Sequence, residues 1–407
     1  MAAERSRDNV NPNTIRNILT LRYDSSQKSI LPKLSWNNFS INQASPNLNA
    51  VEKLIENYLR NKIGTKTDKI AIALSGGVDS TLVMTFLRKV FPQIKIEAVS
   101  IRFANSVDET TSAAKIAEHF GANHHIVELN NYLEELPKAI STIKLPFWDT
   151  HWYYVVKKAQ TLSKFLASGD GGDEVFGGYT FRYKKFLELT NAKSTPLEKI
   201  KAYLQCHERD RVQDQEKLFG SQHSFTWEPI YELLLPYFDN PLARLDQVFL
   251  ADYNGKLLYN FSLVNSSLHS SLGLESVTPL LSQELISYIT PLSNQFKYDV
   301  KNNVGKLLLR RLLKKYNANH LVSEEKLGFN VNTINLWKSH GNRICKEYLQ
   351  NPHIVKDGWI DANWITKHID EKELNINYVN KFLGLLAFEI WYRIFITKDL
   401  DVNARLN

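Results

Sequence analysis

The feature that most constrains the fold is a short polar run between an apolar segment and an amphipathic one. Apart from Lys69, residues 69–74 are apolar and include two β-branched isoleucines, which predicts a buried strand. The run Ser-Gly-Gly-Val-Asp-Ser follows at 75–80, and apolar residues then recur with helical spacing at 82, 83, 86 and 87. A glycine-rich turn from strand to helix is where open α/β sheets bind anions. The segment therefore predicts an α/β fold with a phosphate site at 75–80.

The flanking sequence continues this alternation of strand and helix patterns. Helices are predicted at 51–63 and 110–120, and further strands at 94–101, 125–129 and 165–168. Elements that alternate at this spacing indicate a parallel sheet with helices on both faces.

This pattern also predicts three regions of the chain. An α/β domain covers about 51–187, and a mainly helical region covers 188–400, where strand patterns fade. Residues 1–50 are polar and Asn-rich and form an N-terminal arm, with one short strand predicted at 18–23.

Composition excludes several other classes of protein. The two cysteines, Cys206 and Cys345, lie far apart and outside any Cys-x-x-Cys pair, which argues against a disulfide framework or a thiolate metal site. The most apolar stretch, 382–396, is interrupted by Glu389 and Arg393 and is too short to span a bilayer. The net charge is +7, without an Arg-rich tail. We therefore expect a cytoplasmic protein with neither a membrane nor a nucleic-acid partner.

The residue types at 75–80 suit the phosphates of a nucleotide. Gly76 and Gly77 allow the backbone close to a phosphate, and the Ser75 and Ser80 hydroxyls add donors to the N–H groups of the helix N-terminus. Asp79 would repel a phosphate unless a divalent cation lay between them, so we expect Mg²⁺. The run lacks the lysine of the kinase loop and the spacing of dinucleotide folds. It resembles the pyrophosphate loop of N-type ATP pyrophosphatases, which split ATP into AMP and pyrophosphate.

A second motif narrows the resemblance to one family. The run Ser-Gly-Asp-Gly-Gly-Asp-Glu-Val-Phe-Gly-Gly-Tyr at 168–179 is similar to a motif in the synthetase domain of asparagine synthetases. Its Asp173, near the end of a second strand, can complete a Mg²⁺ site with Asp79. Weaker matches to the same family occur at 275–282, 306–310, 326–329 and 386–391.

The resemblance implies roles for individual residues. Asp79 and Asp173 would bind Mg²⁺. Lys326 would neutralise charge that grows on the α-phosphate and on the leaving pyrophosphate, and Asp170 would handle the proton of the incoming amine. The residues that would bind ATP are Ser75, Gly76, Gly77, Asp79 and Ser80 at the β- and γ-phosphates, with Ile101, Ser168 and Gly169 around the adenosine.

The sequence also departs from the family at several positions. An ungapped alignment puts Ser266 and Ser267 in place of an Asp-Arg pair, while Val277 and Ser282 replace an Arg and an Asp. Residue 2 is Ala, where full-length asparagine synthetases carry a catalytic cysteine. We therefore expect no glutaminase domain, and nitrogen from ammonia, a separate glutaminase subunit or an amine on the substrate.

These observations predict an AMP-forming amide synthetase. It would adenylate a carboxylate, aspartate or a related acid, for attack by ammonia or an amine, and a homodimer is one option. Two alternatives stay open at this point: an RNA-modifying pyrophosphatase that adenylates a base, and a non-catalytic ATP-binding subunit of an assembly. The first alternative usually has a reactive cysteine or an RNA-binding module, and neither is evident in the sequence.

Overall fold

Five parallel strands form the central sheet of this protein. The computed structural model describes residues 10–39, 45–104, 106, 108–322 and 331–407. The sheet order is β3-β2-β1-β4-β5, and every neighbouring pair is parallel. The strands are β1 (Lys69–Ala73), β2 (Lys95–Phe103), β3 (Asn123–Leu129), β4 (Phe165–Ala167) and β5 (Glu275–Val277).

Helices fill most of the remaining described chain. Those up to β5 are α1 (Pro12–Leu21), α2 (Leu48–Lys62), α3 (Val78–Val90), α4 (Thr110–His119), α5 (Leu136–Ile143), α6 (His151–Gln160), α7 (Gly172–Phe176), α8 (Thr180–Leu189), α9 (Pro196–Cys206), α10 (Glu228–Phe238), α11 (Arg244–Asp252) and α12 (Ser262–Ser271). Those after β5 are α13 (Gln283–Ile289), α14 (Leu307–Lys315), α15 (Thr333–Leu336), α16 (Asn342–Leu349), α17 (His353–Lys356), α18 (Ala362–Ile369) and α19 (Ile376–Tyr392). Between α13 and α14 lies a short antiparallel pair, β6 (Tyr298–Asp299) and β7 (Val304–Gly305).

The two faces of the sheet pack into two separate cores. Ile70 and Ile72 of β1 belong to one core, on the side of α2, α3 and α14. Ala71 and Ala73 point the other way, into a core with α5, α6 and α19. This alternation along β1 follows from the two-residue repeat of a strand, which lets a central strand be buried on both faces. The predicted fold class, a parallel sheet covered on both faces and followed by a mainly helical region, is confirmed.

The strand predicted at 18–23 is wrong, because most of that segment lies in α1. Asn11 caps this helix by accepting a hydrogen bond from the Asn13 N–H (2.9 Å), and Pro12 takes the first helical position. Ile15, Ile18 and Leu19 are buried, a spacing of three and four residues that suits a helix. The helix-capping signal of Asn11 and Pro12 therefore outweighs the strand preference of the aliphatic run that follows.

Strand β5 was not predicted, since it lies in the segment expected to be helical. It has three residues, and only its last, Val277, is fully buried. Because it pairs with β4, one strand of the central sheet comes from the part of the chain after residue 188. The boundaries at 50 and 187 stay a prediction.

Within the described ranges, no helix is both long and apolar enough to cross a bilayer. Cys206 and Cys345 are both free thiols. The cytoplasmic location stays a prediction.

A buried histidine in α12 makes stability depend on pH. His269 Nε2 accepts a hydrogen bond from Trp152 Nε1 (3.1 Å), and burial lowers the His269 pKa to about 4. The unfolded chain would bind a proton near pH 6.5, whereas the folded chain stays neutral down to about pH 4. Stability should therefore fall as the pH drops through this window, by at most about 1.4 kcal/mol per pH unit from this group.

His269→Gln keeps an acceptor for Trp152 and should flatten this pH dependence. Urea unfolding at pH 5 and pH 7 measures it, with His340→Gln at a partly exposed position as the control. An unchanged pH dependence in His269→Gln would assign the acid lability to other groups.

Candidate active site

The Ser75–Ser80 loop is closed by its own hydroxyls. The Ser80 hydroxyl donates to the Ser75 carbonyl oxygen (3.0 Å) and accepts the Ser75 N–H (3.3 Å). The Gly77 N–H donates to Ser75 Oγ (3.2 Å), and Gly77 caps α3 without a side chain of its own. The loop thus connects the end of β1 to the N-terminus of α3, where the first N–H groups of a helix attract anions.

The second motif packs directly against this loop. The Ser168 N–H donates to the Val277 carbonyl oxygen (3.1 Å). This hydrogen bond fixes the first residue after β4, where the glycine-rich turn begins. A Cβ on Gly169 would lie 2.6 Å from Asp79 Cβ, and one on Gly172 would lie 2.3 Å from Asp79 Cγ. Only glycine fits these two positions, so the two motifs lie in contact at the carboxyl ends of β1 and β4.

Lys306 joins the two predicted metal ligands. Its Nζ lies 2.5 Å from Asp79 Oδ2 and 2.9 Å from Asp173 Oδ1. Burial alone would lower the Lys306 pKa. The nearby Asp79 and Asp173 carboxylates together have the larger effect and raise the pKa above its ordinary value. The three side chains form an ion triad, Asp79–Lys306–Asp173.

The backbone around the triad sets the direction of the Lys306 side chain. Lys306 precedes α14 in a left-handed conformation (φ 59°), and its N–H donates to the Phe176 carbonyl oxygen (3.1 Å). A Cβ on Gly178 would lie 1.9 Å from Asp173 Oδ1 and 2.4 Å from Lys306 Cε. Gly178 therefore leaves room for both charged side chains.

The geometry of the triad fits a divalent cation. Carboxylate oxygens from α3 and α7 already lie within 2.9 Å of one positive group, so the same oxygens can reach one metal ion. Carboxylates are ligands that Mg²⁺ prefers, and it commonly takes one or two of them together with phosphate oxygens and water. The assignment of Asp79 and Asp173 to Mg²⁺ stays a prediction.

Asp170 lies on the glycine-rich turn after β4 and contacts α12. Asn265 Nδ2 donates to Asp170 Oδ2 (2.7 Å). Burial raises the Asp170 pKa, and the hydrogen bond from Asn265 acts in the opposite direction. Sequence reasoning missed Asn265, which belongs to none of the matched motifs.

The remaining predicted residues divide into two groups. Ile101 near the end of β2, and Ser168 with Gly169 after β4, lie on either side of β1 at the same sheet edge. Their contact with adenosine stays a prediction. Lys326 lies at 323–330, outside the described residues, so its role also stays a prediction.

The departures from the family have local structural roles. Val277 is buried in β5, and Ser282 caps α13 by accepting the Leu285 N–H (3.4 Å). Ser266 and Ser267 are partly buried in α12, directly after Asn265.

A glycine-rich strand–helix loop beside two carboxylates is typical of α/β proteins that bind phosphates at the carboxyl edge of the sheet. The chain belongs to the asparagine synthase family, since that family's sequence model matches residues 50–393. The predicted resemblance is therefore confirmed.

Individual relatives show how far this similarity extends. Asparagine synthetase [glutamine-hydrolyzing] 1 from Bacillus subtilis is 23% identical over 363 residues, covering 80% of this chain and 56% of its own length. A putative asparagine synthetase from Methanocaldococcus jannaschii is 33% identical over 139 residues, or 31% of this chain and 27% of its own. The chain thus spans about half the length of the first of these relatives.

Among solved structures, a U34-tRNA thiolase from Methanococcus maripaludis is similar at 14% identity and a TM-score of 0.29. That match covers 83% of this chain and 80% of the thiolase.

Replacing the central cation of the triad should destabilise the protein when Mg²⁺ is absent. In Lys306→Met the two carboxylates lose their counter-charge, which should lower the free energy of unfolding by up to about 3 kcal/mol. Millimolar Mg²⁺ should restore part of this loss, because the metal can replace the ammonium between Asp79 and Asp173.

Thermal unfolding with and without Mg²⁺ measures both effects. Lys314→Met, at an exposed position of α14, is the matched control and should change little. Full stability of Lys306→Met, or a loss that Mg²⁺ does not reduce, would contradict this account of the triad.

Proposed function

We propose that this protein is an ATP-dependent amide synthetase that forms AMP and pyrophosphate. It adenylates a carboxylate, and ammonia or an amine then attacks the acyl adenylate. The observation that carries the proposal is the convergence of Asp79, Asp173 and Lys306 beside the Ser75–Ser80 loop. Membership of the asparagine synthase family supports the same chemistry.

The phosphate end of ATP fits the Ser75–Ser80 loop. The loop offers the first N–H groups of α3, and Gly76 and Gly77 present no side chain beyond hydrogen. The glycines of the second motif keep Asp79 and Asp173 at the same place. In this proposal the β- and γ-phosphates bind here, and they leave together as pyrophosphate.

The ion triad prepares the site before the nucleotide arrives. Lys306 compensates the charge of Asp79 and Asp173, and its ammonium is a ready donor to phosphate oxygens. A Mg²⁺ ion held by the two carboxylates would neutralise charge on those oxygens. From the family resemblance, Lys326 would stabilise charge that develops at the α-phosphate and the leaving pyrophosphate.

Asp170 is placed for the second half of the reaction. It lies three residues after the end of β4 and two residues before α7, on the same turn as Gly169. Burial raises its pKa, which makes the carboxylate a stronger proton acceptor than an exposed aspartate. We assign to it the proton that the amine loses as the amide bond forms.

The nitrogen source is part of the proposal. The Bacillus relative is named as glutamine-hydrolysing, and this chain covers 56% of that protein. We propose that nitrogen reaches the acyl adenylate as free ammonia, from a separate glutaminase subunit, or as an amine on the substrate.

The products of ATP test the proposal directly. With MgATP, an amine source and a panel of carboxylic acids, nucleotide chromatography should show AMP, with pyrophosphate in equal amount. Asp79→Asn and Asp173→Asn should each abolish this release. Formation of ADP and phosphate, or release that does not depend on any acid, would rule out the proposed reaction.

The two halves of the reaction should separate in Asp170 variants. Asp170→Asn should still exchange labelled pyrophosphate into ATP in the presence of the acid, yet form almost no amide. Loss of both activities together would place Asp170 in adenylation instead.

Asn265 gives a pH test of the same assignment. Asn265→Ala removes a donor to the ionised carboxylate, so the Asp170 pKa should rise further. Because the base must be ionised, the acid limb of the rate of amide formation should move to higher pH. Exchange of pyrophosphate should keep its pH profile.

A further inference from the structure

Two polar side chains lie next to the Ser75–Ser80 loop, on the face of the sheet that packs against α2 and α3. Ile96 and Ala98 of β2 point into the core on that side. Ser100 continues their face, by the two-residue repeat of a strand, and is only 2% exposed. His124 of β3 shares the face, since it lies in register with Ala98. Polar side chains in such a place need hydrogen-bond partners.

Ser100 gives its only proton to the backbone just before the loop. Its Oγ donates to the Leu74 carbonyl oxygen (2.6 Å). The hydroxyl can therefore only accept at its second contact, with His124 Nε2 (2.8 Å), so that nitrogen carries a proton. Burial lowers the His124 pKa, which leaves the ring neutral at pH 7 with its one proton on Nε2. The hydrogen bonds thus run in one direction, from His124 to Ser100 to Leu74.

These hydrogen bonds fix the first peptide group of the loop. The Leu74 carbonyl and the Ser75 N–H belong to one planar trans peptide, so they point in opposite directions. The Leu74 N–H donates to the Val99 carbonyl oxygen (2.9 Å), and β2 therefore holds both backbone polar groups of Leu74. As a result, the Ser75 N–H is directed at Ser80 Oγ, which accepts it (3.3 Å).

The orientation of this peptide matters because the Ser80 hydroxyl closes the loop. Ser80 Oγ accepts the Ser75 N–H and donates to the Ser75 carbonyl oxygen (3.0 Å). A rotation of the Leu74–Ser75 peptide would break the first of these contacts and redirect the Ser75 N–H. Donors that already point in the required direction need no reorganisation when an anion binds.

We propose that Ser100 and His124 are positioning residues for the phosphate loop. They hold the Leu74–Ser75 peptide in the orientation that binds the β- and γ-phosphates. Neither side chain touches a phosphate, and both act through the Leu74 carbonyl oxygen. This inference rests on the proposed function, and it adds to the phosphate site two residues that lie outside every matched motif.

Calorimetric titration with magnesium pyrophosphate tests the inference without turnover. Ser100→Ala should weaken binding about 3- to 10-fold, the loss expected when one neutral hydrogen bond is removed. Ser100→Thr keeps the hydroxyl on a β-branched side chain that suits a strand, and it should restore most of the affinity.

Variants of His124 test the second step of the same chain of hydrogen bonds. His124→Leu removes the donor to Ser100 and should also weaken pyrophosphate binding, whereas His124→Gln keeps an N–H donor and should restore most of it. The losses in a Ser100→Ala, His124→Leu double variant should be less than additive, because both residues act through one carbonyl oxygen.

His125→Leu is the matched control. His125 Nε2 lies 2.7 Å from Glu97 Oε2, and this pair also links β3 to β2, but on the opposite face of the sheet. The variant should lower the unfolding midpoint, because Glu97 loses its partner, yet it should bind magnesium pyrophosphate as the wild type does.

Two results would overturn the inference while the proposed function stands. One is wild-type affinity for magnesium pyrophosphate in both Ser100→Ala and His124→Leu. The other is an equal loss of affinity in His125→Leu, which would reduce Ser100 and His124 to general links between two strands. If the wild type itself binds no magnesium pyrophosphate, the proposed function fails.

Discussion

The contact of one ammonium with two carboxylates holds the proposed site together. Asp79 lies in the first turn of α3, Asp173 in α7, and Lys306 directly before α14. Two of these elements follow neighbouring parallel strands, and the third comes from the helical region. Without Lys306 the two carboxylates would repel each other in a partly buried place. The triad therefore connects the sheet to the region that covers it, and it does so where a phosphate group would bind.

The glycines of the second motif leave the space that these three charged side chains need. Gly169 and Gly172 let the turn approach Asp79, and Gly178 leaves space for Asp173 and Lys306. A side chain at any of the three would push the carboxylates apart or move the loop. The motif is glycine-rich because three backbone segments and three charged side chains share one small volume.

Much of the sheet could be predicted from the sequence, because its strands are short apolar runs between clear helical patterns. The predicted segments 69–74 and 94–101 correspond to β1 and β2, and 51–63 corresponds to α2. Strand β5 could not be predicted in this way, since three residues with one fully buried side chain carry no periodicity. In α1 the capping signal at Asn11 and Pro12 was present in the sequence, but the strand prediction gave more weight to the aliphatic run.

The candidate site could likewise be predicted only in part. The two motifs placed Asp79 and Asp173 at adjacent strand ends, because parallel strands end at one edge of a sheet. The match at 306–310 included Lys306 but gave it no role, because that role depends on a left-handed residue and on how α14 packs against α3. Asn265 acts through a contact with a distant segment, and its neighbours in sequence give no sign of that contact.

The central claim is that Asp79 and Asp173 form one metal site with the phosphates of the nucleotide. Electron paramagnetic resonance of Mn²⁺ with pyrophosphate tests this claim without any turnover. The wild type should bind one Mn²⁺ per chain in the presence of pyrophosphate, and Asp79→Asn and Asp173→Asn should each weaken that binding strongly. Asp170→Asn should bind Mn²⁺ as the wild type does. Unchanged Mn²⁺ binding in the Asp79→Asn, Asp173→Asn double variant would contradict the account.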